Sequence, residues 1–221
     1  EDDTTSIPKR PFAGVSVFQL GIQSSNVRRM ISLGLTLGVR GPASGAETVQ
    51  DNFHRWIGDE IFEGWSTQLP NKLLFGIRST YAREFKLASF TDIISTTELA
   101  LGNYQTHLDQ RISLRLGMPK SLGQSLMFRN HLGESSKKPE IYVLGTLIGR
   151  AVLVDTTFGK LDGAVKGLET PNKSNLLAGY EVALHAQVSR FGMVAAHNRI
   201  SSESNFSTKH SYGTLGASYS F

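Results

Sequence analysis

Long runs of strict two-residue alternation govern what this chain can fold into. Residues 30–40 place Ile31, Leu33, Leu35, Leu37 and Val39 on one face of an extended strand. Ser32, Gly34, Thr36, Gly38 and Arg40 fall on the other. Residues 176–189 repeat the pattern, with Ala178, Tyr180, Val182, Leu184, Ala186 and Val188 opposite Gly179, Glu181, Ala183, His185, Gln187 and Ser189. Ile112, Leu114, Leu116 and Met118 alternate with Arg111, Ser113, Arg115 and Gly117. Leu215, Ala217, Tyr219 and Phe221 alternate with Thr214, Gly216, Ser218 and Ser220. Weaker runs occupy 11–22, 73–83, 87–102, 141–154 and 191–200, and the 141–154 run is apolar on both faces. Nine strand candidates result.

Two architectures accept such strands. A soluble sandwich solvates its polar face, usually with Lys, Glu and Asp. A membrane barrel turns its apolar face to lipid and lines the lumen with Gly, Ser, Thr and spaced charges. Here the polar face is Gly, Ser, Thr and Arg, and the strands reach the roughly ten residues that a tilted crossing needs. The final strand ends Ala-Ser-Tyr-Ser-Phe, and bacterial outer-membrane barrels commonly close on such an aromatic residue. The expectation is an all-β, antiparallel transmembrane barrel, a single domain over 1–221, in the bacterial outer membrane.

Composition removes other classes. No apolar run reaches the ~18 residues of a membrane-spanning helix. The absence of cysteine excludes disulfide frameworks, thiolate metal sites and cysteine nucleophiles. A net charge of +4, from 23 basic and 19 acidic residues with no Lys/Arg block, predicts no nucleic-acid partner. The start Glu1-Asp2-Asp3 is acidic and has no apolar segment, so no signal peptide remains; on composition alone either the protein is cytosolic or a leader has been removed.

Gln23-Ser24-Ser25-Asn26 and Glu84-Phe85-Lys86 read as turns. Three connections are long: 41–71, 119–139 and 155–173. Short turns at one rim and long loops at the other suit a barrel with periplasmic and extracellular ends. The segments 119–139 and 155–173 are rich in Gly, Lys and Pro, and read as mobile rim loops without chemistry.

The loop 41–71 differs. After Gly41-Pro42-Ala43-Ser44-Gly45 the period changes to that of a helix over 46–57, which Gly58 can end before Asp59-Glu60. Val49, Phe53 and Ile57 share a stripe with Trp56 beside it, and that stripe is expected to pack the loop onto the barrel wall. Gln50 and His54 form an i, i+4 pair expected to face a shared cleft. A lone histidine on a helix is more often a mere neighbour than a reactive group.

Gly41-Pro42-x-x-Gly45-x-x-x-x-Gln50-x-x-x-His54-Arg55-x-Ile57-Gly58, followed by Glu60, Trp65, Gln68 and Leu69, resembles the outer-membrane lipid A 3′-O-deacylases. Upstream, Arg10-Pro11-Phe12-Ala13-Gly14 matches the family's Arg-Pro-Tyr-Ala-Gly stretch. The resemblance runs from about Arg10 to Phe221, and its Gln-x-x-x-His segment is the most specific part. It implies a calcium-dependent esterase that removes the 3′ acyloxyacyl unit from lipid A of lipopolysaccharide, acting as a monomer among outer-membrane lipids. In that scheme His54 is the general base, Gln50 orients water or substrate, and Glu60 stands where the family keeps an acidic residue, a candidate calcium ligand.

The family has about three strands before the Arg-Pro motif, carrying an Asn-Asp pair, a Thr and a Lys of the calcium and substrate site. Only nine residues precede Arg10 here, and Lys9 stands where the family usually has Asp. Nine strands are an odd count for a bacterial barrel, where even numbers are the rule, and about twelve are expected of the family. The expectation is a member lacking its N-terminal quarter. The competing reading is a barrel that keeps the scaffold without the chemistry, in a structural, surface-interaction or pore role.

Overall fold

The computed structural model describes residues 12–61, 64–128, 138–158, 173–204 and 209–219. Of the sequence features above, Arg10-Pro11, the terminal Ser220-Phe221 and the segments 129–137 and 159–172 lie outside them. Nine strands form: β1 (Val15–Ser25), β2 (Arg29–Arg40), β3 (Lys72–Ala88), β4 (Thr91–Gly102), β5 (Gln105–Met118), β6 (Glu140–Asp155), β7 (Leu176–Val188), β8 (Phe191–Ile200) and β9 (His210–Tyr219). They build one antiparallel sheet in which each strand pairs with its successor. Among the described residues no helix is long and apolar enough to cross a membrane.

Burial is the reverse of a water-soluble protein. Leu33, Leu35, Leu37, Leu184, Val188, Leu215 and Tyr219 are exposed, whereas Thr36, Ser113, Arg115, His185 and Gln187 are buried. An apolar exterior is unfavourable against water and favourable against lipid. The curl brings distant strands together across the interior. Arg40 at the end of β2 donates from Nη1 to the carbonyl of Thr156 beyond β6, at 2.7 Å. Polar side chains and two small apolar clusters fill the lumen: Met30, Ala82, Ile94 and Leu122 in one, and Tyr142, Leu144 and Ala183 in the other.

Three expectations about connections need correction. Glu84-Phe85-Lys86 is no turn: it lies within β3, and the chain reverses at Ser89-Phe90. Its charges look like a turn, but they keep the alternation. Glu84 points inward toward Arg115, 3.5 Å away, and Lys86 Nζ lies 3.4 Å from Asp92. The first turn falls at 26–28 and shares only Asn26 with the expected 23–26, because β1 runs through Ser25. Asn26 Oδ1 then accepts from the backbone N–H groups of Arg28 and Arg29, at 3.0 and 2.8 Å.

The third correction concerns 119–139. Strand order places it at the rim that carries the short turns 26–28, 89–90 and 189–190, opposite the 41–71 loop. Its described part, 119–128, is folded into the lumen with Leu122, Ser125 and Leu126 buried. Charged side chains hold it there. Glu140 accepts from Lys120 N and Leu126 N at 3.0 and 2.8 Å, and Arg115 donates to Ser125 Oγ at 3.1 Å. The segment is a plug.

Facing gives a direct test. Leu35 sits mid-strand on the outer face, between Leu20 of β1 and Ile77 of β3. Ser32 lines an interior cavity of about 590 Å³. Leu35→Arg should cost about 2–4 kcal/mol of assembled stability, the scale for Arg near the bilayer midplane. Ser32→Arg should assemble almost as wild type. The readout is the heat-modifiable folded band after refolding into detergent, and equal losses at both positions would contradict the division of faces.

Candidate functional site

The loop between β2 and β3 holds helix α1 (Ala46–Ile57), with the bounds its periodicity predicts. Both ends of the loop are tied to residues 12–14. Gly41 N–H donates to the Gly14 carbonyl and Leu69 N–H to the Phe12 carbonyl, each at 2.8 Å. The Phe12 ring meets Trp65 edge-on, with centroids 5.3 Å apart. Gly14 is needed for close approach: a Cβ there would collide with Ser44 Oγ and stand 3.0 Å from Ala46 Cβ. The two motif segments therefore form one piece of structure.

The C-terminal end of α1 creates a contact that sequence reading missed. Gly58 takes the left-handed conformation (φ 73°), and Asp59 N–H donates back to the His54 carbonyl at 2.9 Å. This reversal brings Asp59 Oδ2 to 3.4 Å from His54 Nδ1, with the two side chains 59% and 12% exposed. An acid directly after a helix-ending glycine was the available signal. At that distance the carboxylate lies beside Nδ1 as a charge contact, without a hydrogen bond between them.

Gln50, Asp51 and His54 are all partly buried, so α1 turns this polar flank toward the protein. Its apolar stripe is not packed on the barrel wall as expected. Val49, Phe53, Trp56 and Ile57 are 70%, 52%, 81% and 51% exposed. The polar flank occupies the protein-facing side, and the stripe lies roughly a quarter-turn away. Glu60 is exposed, its backbone N–H held by Asp59 Oδ1 at 2.9 Å.

A second cluster lies in the lumen. Donor atoms of Glu98, His107 and Asp109 fall within 4.8 Å of one another, close enough to hold a metal ion. Arginines compete for the same oxygens. Arg150 binds Asp109 through two 2.6 Å bonds, Arg111 reaches it at 3.2 Å, and Arg78 lies 3.2 Å from Glu98. Three guanidinium groups around two carboxylates already neutralise the cluster. Glu60 has no part in it. His185 is buried on the lumen side and stacks on Tyr142, with centroids 4.7 Å apart.

A model of the outer membrane protein LpxR family matches residues 1–221. The solved structure of LpxR from Salmonella typhimurium is similar at a TM-score of 0.81 and 21% identity, over 96% of this chain and 74% of that one. At that identity the likeness speaks to fold. A KdgM porin structure, at 9% identity over 94% of this chain and 99% of that one, has a TM-score of 0.27 and carries no argument. Comparison with curated protein sequences finds no match.

Proposed function

Because this chain belongs to the outer membrane protein LpxR family, we propose that it is a lipid A 3′-O-deacylase whose general base is His54. The observation that supports this most is the placement of His54. It stands on an outer-rim helix, largely shielded, with Asp59 beside Nδ1. His54 Nε2 takes a proton from water, and the water oxygen attacks the carbonyl of the 3′ ester of lipid A. The tetrahedral intermediate collapses with cleavage of the bond to the 3′ oxygen. That oxygen receives the proton from His54, and the acyl chain leaves as a carboxylic acid, which then loses its proton to water. Gln50, one turn back on the same flank, positions the water or the ester by a hydrogen bond.

Calcium takes hard oxygen ligands, six to eight in total, and the exposed carboxylate of Glu60 is a donor of that kind. Glu60 is the loop residue that would contribute one such oxygen. Bound there, calcium would supply positive charge for an ester oxyanion. The carboxylates of the lumenal Glu98–His107–Asp109 group are already paired with arginines.

Mass spectrometry of lipid A from cells expressing the protein tests the reading. The wild type should yield a species lacking the 3′ acyloxyacyl unit, and His54→Ala should leave lipid A intact. Unaltered lipid A with folded wild-type protein in the outer membrane would favour a scaffold barrel without this chemistry. Asp59→Asn should slow the reaction about two- to fivefold, the scale of one partly exposed charge contact, by steady-state rates in mixed micelles. A neutral amide still fills the space, so folding should be unchanged.

A further inference from the structure

The outward stripe of α1 has no explanation in the ester chemistry. A helix at a water-facing surface turns its polar side out and its apolar side in. α1 departs from this: Gln50, Asp51 and His54 are the shielded residues, the apolar stripe of Val49, Phe53, Trp56 and Ile57 is exposed, and Thr48, Asn52 and Arg55 form a further exposed, polar side. We propose that α1 is an interfacial membrane helix, its apolar stripe immersed in the acyl-chain layer of the outer leaflet.

The register of the sheet shows what this stripe adjoins. Outward rows climb β1, β2 and β3 toward the loop rim: Leu20–Leu35–Ile77, then Phe18–Leu37–Phe75, then Ser16–Val39–Leu73. Phe18, Leu37, Phe75 and Leu73 are all exposed and belong to the lipid-facing band. The next row is Gly14–Gly41, joined by the 2.8 Å bond that clamps the loop. By alternation Gly14 faces outward, and Ser44 and Ala46 press against it there. The helix therefore begins on the outside of the wall, one row above Leu73. Two residues rise about 6.6 Å along a strand, and less in height when the strand tilts. This is the depth at which apolar band gives way to headgroups.

The stripe's composition suits that depth. Interfacial helices bury an apolar face about 5–10 Å into the boundary between headgroups and chains. Tryptophan is enriched there, because its ring is apolar and its N–H reaches a polar layer. Trp56 is the most exposed member of the stripe and lies against Phe53, with ring centroids 6.0 Å apart. α1 spans about 18 Å, so the stripe lies along the surface and does not cross the membrane. The inference requires only that the barrel sits in the outer membrane, and it stands whether or not His54 is a base.

The chain has two tryptophans, Trp56 and Trp65, so Trp65→Phe leaves Trp56 as the sole reporter. Trp65 Nε1 is buried without a hydrogen-bond partner, so phenylalanine preserves the ring packing on Phe12 and removes no such bond. The variant is reconstituted into dioleoylphosphatidylcholine vesicles and into vesicles brominated in the upper acyl chain. Immersion predicts a blue-shifted emission that brominated lipid reduces to roughly half, and that aqueous iodide leaves almost unchanged. Quenching by iodide and not by bromine would place the stripe in water and overturn the proposal. Shielding from both would overturn it too, because protein would then cover the stripe. Should Trp65→Phe assemble poorly, the difference between wild type and Trp56→Phe supplies the same reading.

Discussion

His54→Ala should lower the rate of lipid A deacylation by about 10²–10⁴-fold, the usual range for removing a general base. Alanine leaves α1 intact, since the turn at Gly58 rests on the backbone carbonyls of residues 54 and 55. Gln50→Ala should cost less, because it removes an orienting bond and leaves the base. Chelation of calcium should abolish activity in the wild type if the ion carries oxyanion charge. His185→Ala, deep in the lumen against Tyr142, should be nearly silent in catalysis. Full activity in His54→Ala with loss in His185→Ala would move the chemistry into the barrel interior.

Arg115→Ala should be the most damaging single change to the scaffold, at about 3–5 kcal/mol. Arg115 is fully buried and binds both oxygens of buried Asp92, Nε to Oδ1 at 2.7 Å and Nη2 to Oδ2 at 2.9 Å. It also reaches Ser125 Oγ at 3.1 Å and the Lys120 carbonyl at 3.2 Å, and stands 5.3 Å over the Tyr142 ring. Its removal leaves Asp92, Glu84 and Glu140 facing a buried gap, with Lys86 Nζ 3.4 Å from Asp92. The plug at 119–128 would lose two anchors in the same step. Thermal loss of the folded band in detergent should show the shift. Limited proteolysis should show new cleavage within 119–128. Because one residual charge drives much of the penalty, Arg115→Ala with Asp92→Ala should cost less than the sum of the two.

The alternation made the sheet readable because each face of a strand meets a single medium. Leu33, Leu35 and Leu37 could be assigned outward from spacing alone, and α1 from its change of period. Glu84-Phe85-Lys86 misled, since charges usually mark turns in water-soluble chains, whereas a lumen accepts them within a strand. The plug was unreadable for a related reason. Only Leu122, Ser125 and Leu126 are buried in it, too few and too irregular to show a period, and its anchors Arg115 and Glu140 sit in neighbouring strands. At the site, His54 and Gln50 came from a motif. Asp59 required the Gly58 reversal, and the stripe's direction required knowing which flank of α1 meets the protein.

The strand order has a mechanical meaning. Every ladder joins consecutive strands, so no strand must wait for a partner from elsewhere in the chain. Such a sheet can grow like a zip: each completed strand presents the edge on which the next one lays down, and the loop-closure cost stays small at the tight reversals. Drawn out by one end with an atomic-force tip, it should surrender its strands in steps, two at a time where a tight reversal joins them. The long excursion at 41–71 would then register as one distinctly larger extension, because thirty-one residues of loop are released together with the ladder between β2 and β3.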